Sequence, residues 1–147
     1  MKTKNKIIEI KTKEQSDIVN LTDEIKSFVK ESNIKNGLIN IQSLHTTAAI
    51  FVQENEPLLL KDIKKYLERI VPQSINYSHD DFGQRTVNVC GDECRNGHSH
   101  CKAISLPTTV TLNLIDGEVQ LGKWQKILFI ELDRARERKV QVQIIGE

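Results

Sequence analysis

Residues Thr109 to Leu121 read TVTLNLIDGEVQL, and this stretch decides the fold class. Val110, Leu112 and Leu114 alternate with Thr109, Thr111 and Asn113, the period-2 pattern of a half-buried strand. Asp116-Gly117 is a strong two-residue hairpin signal, and Val119 and Leu121 resume the alternation beyond it. Trp124 to Leu132 reads as another strand. Asp133 to Arg138 is a polar turn, and Lys139 to Ile145 is a last strand with Val140, Val142 and Ile144 on one face. The alternation predicts that Val110, Leu112, Leu114, Val119, Leu121, Leu128, Ile130, Val142 and Ile144 are mostly buried.

Upstream the pattern is mixed. Lys6 to Lys11 looks like a short first strand, followed by a polar loop to Asn20. Thr22 offers a hydroxyl cap for a helix running to about Asn33, with Asp23 and Glu24 suited to its positive end and Ile25, Phe28, Val29 and Ser32 at helical spacing. Leu38 to Val52 is strand-like but is broken by the polar Ser43-Leu44-His45-Thr46-Thr47. Pro57 starts a helix whose face is Leu59, Ile63, Tyr66, Leu67 and Ile70, and Pro72 stops it. The sum is an α+β domain over residues 1–147, with largely antiparallel sheets and two or three helices.

The chain has 147 residues, enough for one domain with a substantial core and no disulfide staples. Twenty-one Lys and Arg against 20 Asp and Glu leave a net charge of +1, so no overall field recruits nucleic acid or an anionic membrane. No apolar run approaches the ~20 residues of a spanning helix. The basic Met1 to Lys6 runs into Ile7-Ile8-Glu9-Ile10-Lys11 instead of the continuous apolar core of a secretory signal. Cys90, Cys94 and Cys101 are odd in number and crowded, unlike a secreted disulfide framework. The expectation is a cytoplasmic protein with neither nucleic-acid nor membrane partners.

Residues 73–101 are the least regular part and hold three of the four histidines and all the cysteines. Loops of that length in compact domains are usually functional. Imidazole is both the side chain that titrates near neutrality and the commonest metal ligand. His45, His79, His98 and His100 are therefore candidates for metal binding or acid–base chemistry, against the bland alternative of locally hydrogen-bonded residues. Cys90, Cys94, His98, His100 and Cys101 are too compressed for all to face one zinc ion. Arg134, Arg136 and Arg138 alternate, and in an extended turn they would form a phosphate- or carboxylate-binding row, or else a solvated turn that guards the sheet edge. The nucleotide-loop motifs G-x-x-x-x-G-K-[ST] and G-x-G-x-x-G and the zinc-protease motif H-E-x-x-H are absent.

His45-Thr46-Thr47-Ala48-Ala49-Ile50, Glu54-Asn55, Asp62, Val71-Pro72, Tyr77-Ser78-His79-Asp80 and Asn96-Gly97-His98-Ser99-His100 stand in a recognisable order. Gly117, Leu121-Gly122-Lys123-Trp124-Gln125, Glu131 and Arg138 follow. From about Gly37 to Gly146 the sequence resembles the YjbQ family, also called the secondary thiamine-phosphate synthase family. Leu106-Pro107-Thr108 and the cysteines depart from the pattern. The resemblance implies a sandwich-like α+β fold, a homotrimer, and a small phosphorylated ligand. It assigns His45, His79, His100 and Glu54 as catalytic candidates and Thr46, Asn55, Asp80, Gln125 and Arg138 as substrate-binding ones. His45, His79 and His100 become candidate ligands of a divalent metal, zinc or magnesium.

Two readings follow. One is an enzyme on a phosphorylated metabolite, with weak thiamine-phosphate synthase activity. The other is a non-catalytic homotrimer that binds a metabolite or a metal. On a short helix begun at Asn96-Gly97, His98 and His100 diverge by roughly 200°. His100 is then expected to turn inward to join His45 and His79, with Arg138 opening onto the same cleft.

Overall fold

The computed structural model describes residues 1–147. In chain order the elements are β1 (Lys2–Lys11), β2 (Ile18–Asn20), α1 (Thr22–Ser32), β3 (Gly37–Ser43), β4 (Ala48–Glu54) and α2 (Pro57–Ile70). A single 3₁₀ turn (Ser78–Asp80) follows, then α3 (Gly97–Ala103), β5 (Thr109–Ile115), β6 (Glu118–Val119), β7 (Gln125–Glu131) and β8 (Glu137–Gly146). One sheet has five strands in the order β1-β8-β3-β5-β6 and the other three in the order β2-β7-β4. Every pairing is antiparallel.

The two sheets face each other across the main core. Ile8 and Ile10 of β1, Ile39 and Ile41 of β3, and Val140, Val142 and Ile144 of β8 meet Ala48, Ile50, Ile127 and Phe129 of the smaller sheet. Helix α1 closes one side with Ile25, Phe28 and Val29. The smaller sheet also buries its other face, where Ala49, Phe51, Leu128 and Ile130 pack on Leu67 of α2 and on Ala103 of α3. This explains two kinds of sequence pattern. A strand covered on both sides reads as a continuous apolar run, as in β4 and β7, and one covered on a single side alternates, as in β3, β5 and β8.

The hairpin forms as expected, with Leu114 opposite Val119. Asp116 and Gly117 adopt φ of 52° and 78°, the paired left-handed conformation of a tight two-residue turn. Leu114, Val119, Leu128, Ile130, Val142 and Ile144 are buried, while Val110, Leu112 and Leu121 pack partly buried against the core. Three details differ from the sequence expectation. Strand β1 begins at Lys2 because β8 supplies a partner along its whole length. The loop to Asn20 contains β2, too short to show a period, which pairs with β7. Thr22 is the first residue of α1 instead of its cap: its hydroxyl donates to Asn20 Oδ1 (2.6 Å) and accepts from the Ile127 N–H (2.9 Å), tying the helix to β7. No helix is long and apolar enough to cross a membrane.

Candidate functional site

The end of β7 and the start of β8 carry a charged cluster inside the protein. Glu131 is fully buried and Arg138 is 5% exposed. Arg138 Nε donates to Glu131 Oε2 at 2.7 Å, and one terminal nitrogen reaches both Glu131 Oε1 and Thr47 Oγ1. The carboxylate also accepts from Thr12 Oγ1 and from the Asp133 N–H, each at 3.0 Å. Such a two-pronged guanidinium–carboxylate pair, with its remaining lone pairs satisfied, is the arrangement that a buried charge requires.

Asp133, 6% exposed, extends the cluster. It accepts from Asn96 Nδ2 at 3.3 Å and from Cys94 Sγ at 3.4 Å. Arg136 Nε lies 3.1 Å from Asp133 Oδ2. Its N–H is not aimed at that oxygen, so this is a charge contact without a hydrogen bond. Arg134 pairs with Asp92 at 2.6 Å. The expected arginine row is therefore not a free anion site: each guanidinium has a carboxylate of its own. Arg138 in particular is enclosed, where it was expected to open onto a cleft, because Glu131 at the end of β7 in the facing sheet takes its Nε and one terminal nitrogen.

His45, in the break between β3 and β4, lies beside this cluster. Its Nε2 accepts the Lys139 N–H at 2.6 Å, which puts the ring proton on Nδ1. Burial, then the positive charge of Arg138, holds its pKa below the ordinary imidazole value. Thr46 beside it is exposed, and its neighbour Thr47 makes the contact with Arg138.

His79 and His100 form a second locus. Their rings meet edge to face with centroids 4.5 Å apart. His79 Nε2 is enclosed and has no hydrogen-bond partner, as is Asn96 Oδ1 nearby in sequence at the start of α3. Burial, then the neighbouring His79 and Arg85, lowers the pKa of His100. The pair is held by Asp80, whose Oδ1 accepts the N–H groups of Asn96 (2.9 Å) and Gly97 (2.8 Å) and so pins the 3₁₀ turn to the start of α3. A Cβ on Gly97 would sit 2.5 Å from Tyr77 Cβ, so only glycine permits this approach. His98 faces away from this pair, as the helical spacing predicts, and is buried beside Tyr77.

The remaining candidates lie elsewhere. Glu54 pairs in register with Gln125, and Asn55 follows on the surface. Gln125 accepts the Gly122 N–H at 2.7 Å. Six residues of strand separate Gln125 from Glu131, about 20 Å. One chain thus brings His79 to His100 and His45 to Arg138, and leaves Glu54, Asn55 and Gln125 at the opposite end of the β4–β7 pair.

The metal expectation fares differently for its three ligands. No three His, Cys, Asp or Glu side chains are gathered closely enough to hold an ion. His79 and His100 meet edge to face, and the His45 Nε2 lone pair is taken. Asp80 and Asp81 are both committed, Asp81 to the Gly83 N–H (3.0 Å) and Gln84 Nε2 (2.7 Å). Residues of one chain therefore do not fit a closed metal site. The cysteines are free thiols, with the pKa of Cys94 raised by burial and by Asp133.

Reasoning from sequence missed Thr12, Thr47, Asp133 and Asn96. Thr47 and Asn96 stand within the quoted motifs without an assigned role, and Thr12 had a weaker signal, a hydroxyl just past the apolar face of β1.

The geometry can be set beside known proteins. The family model described as "UPF0047 protein YjbQ-like" matches residues 6–147. A UPF0047 protein of Methanothermobacter thermautotrophicus is 34% identical over 138 residues, which cover 94% of this chain and 89% of that protein. The crystal structure of a YbjQ-like protein of unknown function from Sulfolobus solfataricus is similar with a TM-score of 0.87 at 33% identity, covering 99% of both chains. That of an uncharacterised conserved protein of the YjbQ/UPF0047 family from Clostridium acetobutylicum gives 0.81 at 30% identity, covering 95% of this chain and 98% of that one. With its antiparallel sheets, its three helices and the ordered motifs from His45 to Arg138, the chain belongs to the YjbQ-like UPF0047 family.

Proposed function

We propose that the protein is an enzyme acting on a small phosphorylated metabolite, with the His79–His100 pair as its reactive centre. The observation that carries this reading is the enclosed His79 Nε2, which has no partner within the chain, set against a second imidazole. A buried nitrogen without a partner costs stability, and such costs concentrate where chemistry is done. Burial lowers the pKa of His100, so its imidazole presents a neutral ring, a hydrogen-bond acceptor as well as a donor, to a ligand.

Thiamine-phosphate synthesis forms a C–N bond and breaks the C–O bond to pyrophosphate, so it needs leaving-group charge stabilised more than it needs a base. Arg134, Arg136 and Arg138 are already neutralised by carboxylates. This activity is therefore proposed as a weak transferase side reaction. A zinc or magnesium ion at His79 and His100 would need further ligands from the substrate or from a second copy.

A homotrimer in the cytoplasm completes the proposal. On the outer face of the large sheet, Leu38, Asn40 and Gln42, Gln141, Gln143 and Ile145, and Thr109, Thr111 and Asn113 form an uncharged patch, while Glu9, Lys11, Glu137 and Lys139 of the same face gather at one end of the β1–β8 pair. An uncharged patch of this kind costs little to desolvate against a copy of itself. The far position of Glu54, Asn55 and Gln125 favours a site shared between copies.

The non-catalytic alternative rests on His45, whose Nε2 is spent on the backbone. Titration with pyrophosphate and thiamine phosphate, alongside turnover assays on phosphate esters, separates the two. Turnover lost in both His79→Gln and His100→Gln supports the enzyme. Binding without turnover under any condition supports the alternative.

A further inference from the structure

Helix α3 turns His98 toward a different hollow from the one beside His100. His98 is 3% exposed, yet it lines a cavity of about 810 Å³ bounded by residues 73–78 and 80–83 and by Arg95. Ser99 Oγ spends its only proton on Leu132 O at 2.6 Å, so its 3.4 Å contact with His98 Nδ1 places the imidazole proton on Nδ1. His98 Nε2 is left with a bare lone pair. It has no hydrogen bond within the chain and is not sealed in, so it faces the cavity.

The charges on the cavity wall are unequal in their commitments. Asp80 caps α3 and Asp81 binds its own loop. Arg95 is exposed and makes no ion pair. Ile75 and Phe82 line the cavity with 54% and 43% of their surfaces uncovered. Tyr77 is fixed by donating its hydroxyl to Pro72 O at 2.6 Å. The wall therefore offers a cation without an ion-pair partner, two carboxylates turned to N–H donors of their own chain, a bare acceptor in a buried position, and an uncovered aromatic face. Cavities of roughly 300–1,000 Å³ are the size that holds a cofactor- or drug-sized molecule.

We infer that this cavity is a second small-molecule site, separate from the His79–His100 pair, which takes a nucleoside monophosphate. Its flat nitrogen heterocycle lies against Phe82 and Ile75 and gives an N–H to His98 Nε2, and its phosphate meets Arg95. The inference does not depend on the proposed reaction, because neither His79 nor His100 lines this cavity.

Calorimetric titration of the full chain with AMP, adenosine and inorganic phosphate tests it, with the His98 ring nitrogens followed by NMR. AMP should saturate and bind at least about tenfold tighter than either fragment, because one molecule then engages both ends of the site. Arg95→Ala should weaken AMP about tenfold or more without altering adenosine binding, since a charge-assisted phosphate contact is worth that much. Phe82→Ala should weaken AMP and adenosine alike. Both residues are exposed, so the fold survives either change. The His98 Nε2 resonance should shift with AMP, and His100→Ala should leave the AMP affinity unchanged. No saturation at millimolar AMP overturns the inference, and so does wild-type affinity in both variants. Phosphate binding as tightly as AMP, or an AMP affinity lost in His100→Ala, overturns it equally.

Discussion

Replacing Arg138 by alanine would leave Glu131 fully buried with two of its donors, Thr12 Oγ1 and the Asp133 N–H, and no countercharge. The loss is a two-pronged ion pair plus the bond to Thr47. Breaking a buried pair from one side costs about 3–5 kcal/mol, chiefly because the stranded charge stays desolvated. With an m-value of about 2 kcal/mol/M for a domain of this size, the urea midpoint should fall by roughly 2 M. The double variant Glu131→Leu with Arg138→Leu strands no charge and should be less destabilised than Arg138→Ala alone. Urea unfolding followed by circular dichroism, at one fixed protomer concentration, measures all of these. If Arg138→Ala costs under about 1 kcal/mol while abolishing the binding of phosphorylated ligands, the residue is a ligand-binding group and the argument for an internal strut fails.

Three further outcomes follow from the same coordinates. His45, His98 and His100 all have pKa values lowered by burial, so below the ordinary imidazole value the unfolded chain takes up protons that the folded one refuses. Stability should be flat above about pH 6.5 and fall as the pH drops below it, and a flat profile from pH 7 to 5 would contradict this burial. Gly97→Ala should cost about 1–3 kcal/mol by driving a methyl into Tyr77, and NMR should show the His79–His100 contact disturbed in the folded remainder. Thr12→Val keeps the shape but removes a hydroxyl that serves Glu131 Oε2 and the Arg136 N–H (2.8 Å), and should cost about 1–3 kcal/mol in urea unfolding.

The sequence made the frame legible where burial is one-sided or where a residue has few conformational options. The alternation through β5, the Asp116-Gly117 turn and the proline-bounded α2 are local signals, and each element forms where it was expected. The divergence of His98 and His100 was readable for the same reason, as a matter of helical geometry. The charged cluster was not. Glu131 ends an apolar run and looks like an ordinary polar terminus, and its partner Arg138 is the last of three alternating arginines that read as equivalent. Their difference arises only because the chain crosses between Asp133 and Glu137 from β7 in the smaller sheet to β8 in the larger one, which sets Arg138 against Glu131. Asp80 likewise stood as a substrate-binding candidate by resemblance, whereas its carboxylate caps a helix that begins seventeen residues later. Interactions across such separations leave no periodic trace in the chain.

Strand β1 pairs with β8 from Lys2 opposite Gly146 to Lys11 opposite Glu137, and with no other strand. The consequence concerns the order of events during synthesis. At about 5–20 residues per second, β1 waits on the order of ten seconds after it emerges before its partner is even made. During that wait it is a ten-residue strand with both edges open, a template for pairing with any neighbouring nascent chain. Lys2, Lys4 and Lys6 lie on the same side of the strand as Ile8 and Ile10, and a charge on the face meant for a core makes mispaired stacking unfavourable. In the finished protein Lys6 rests 3.3 Å from Glu24 of α1, near the ring of Phe28. Lys2, Lys4 and Lys6 thus act as a guard for a strand that has to wait for β8, more than a hundred residues downstream.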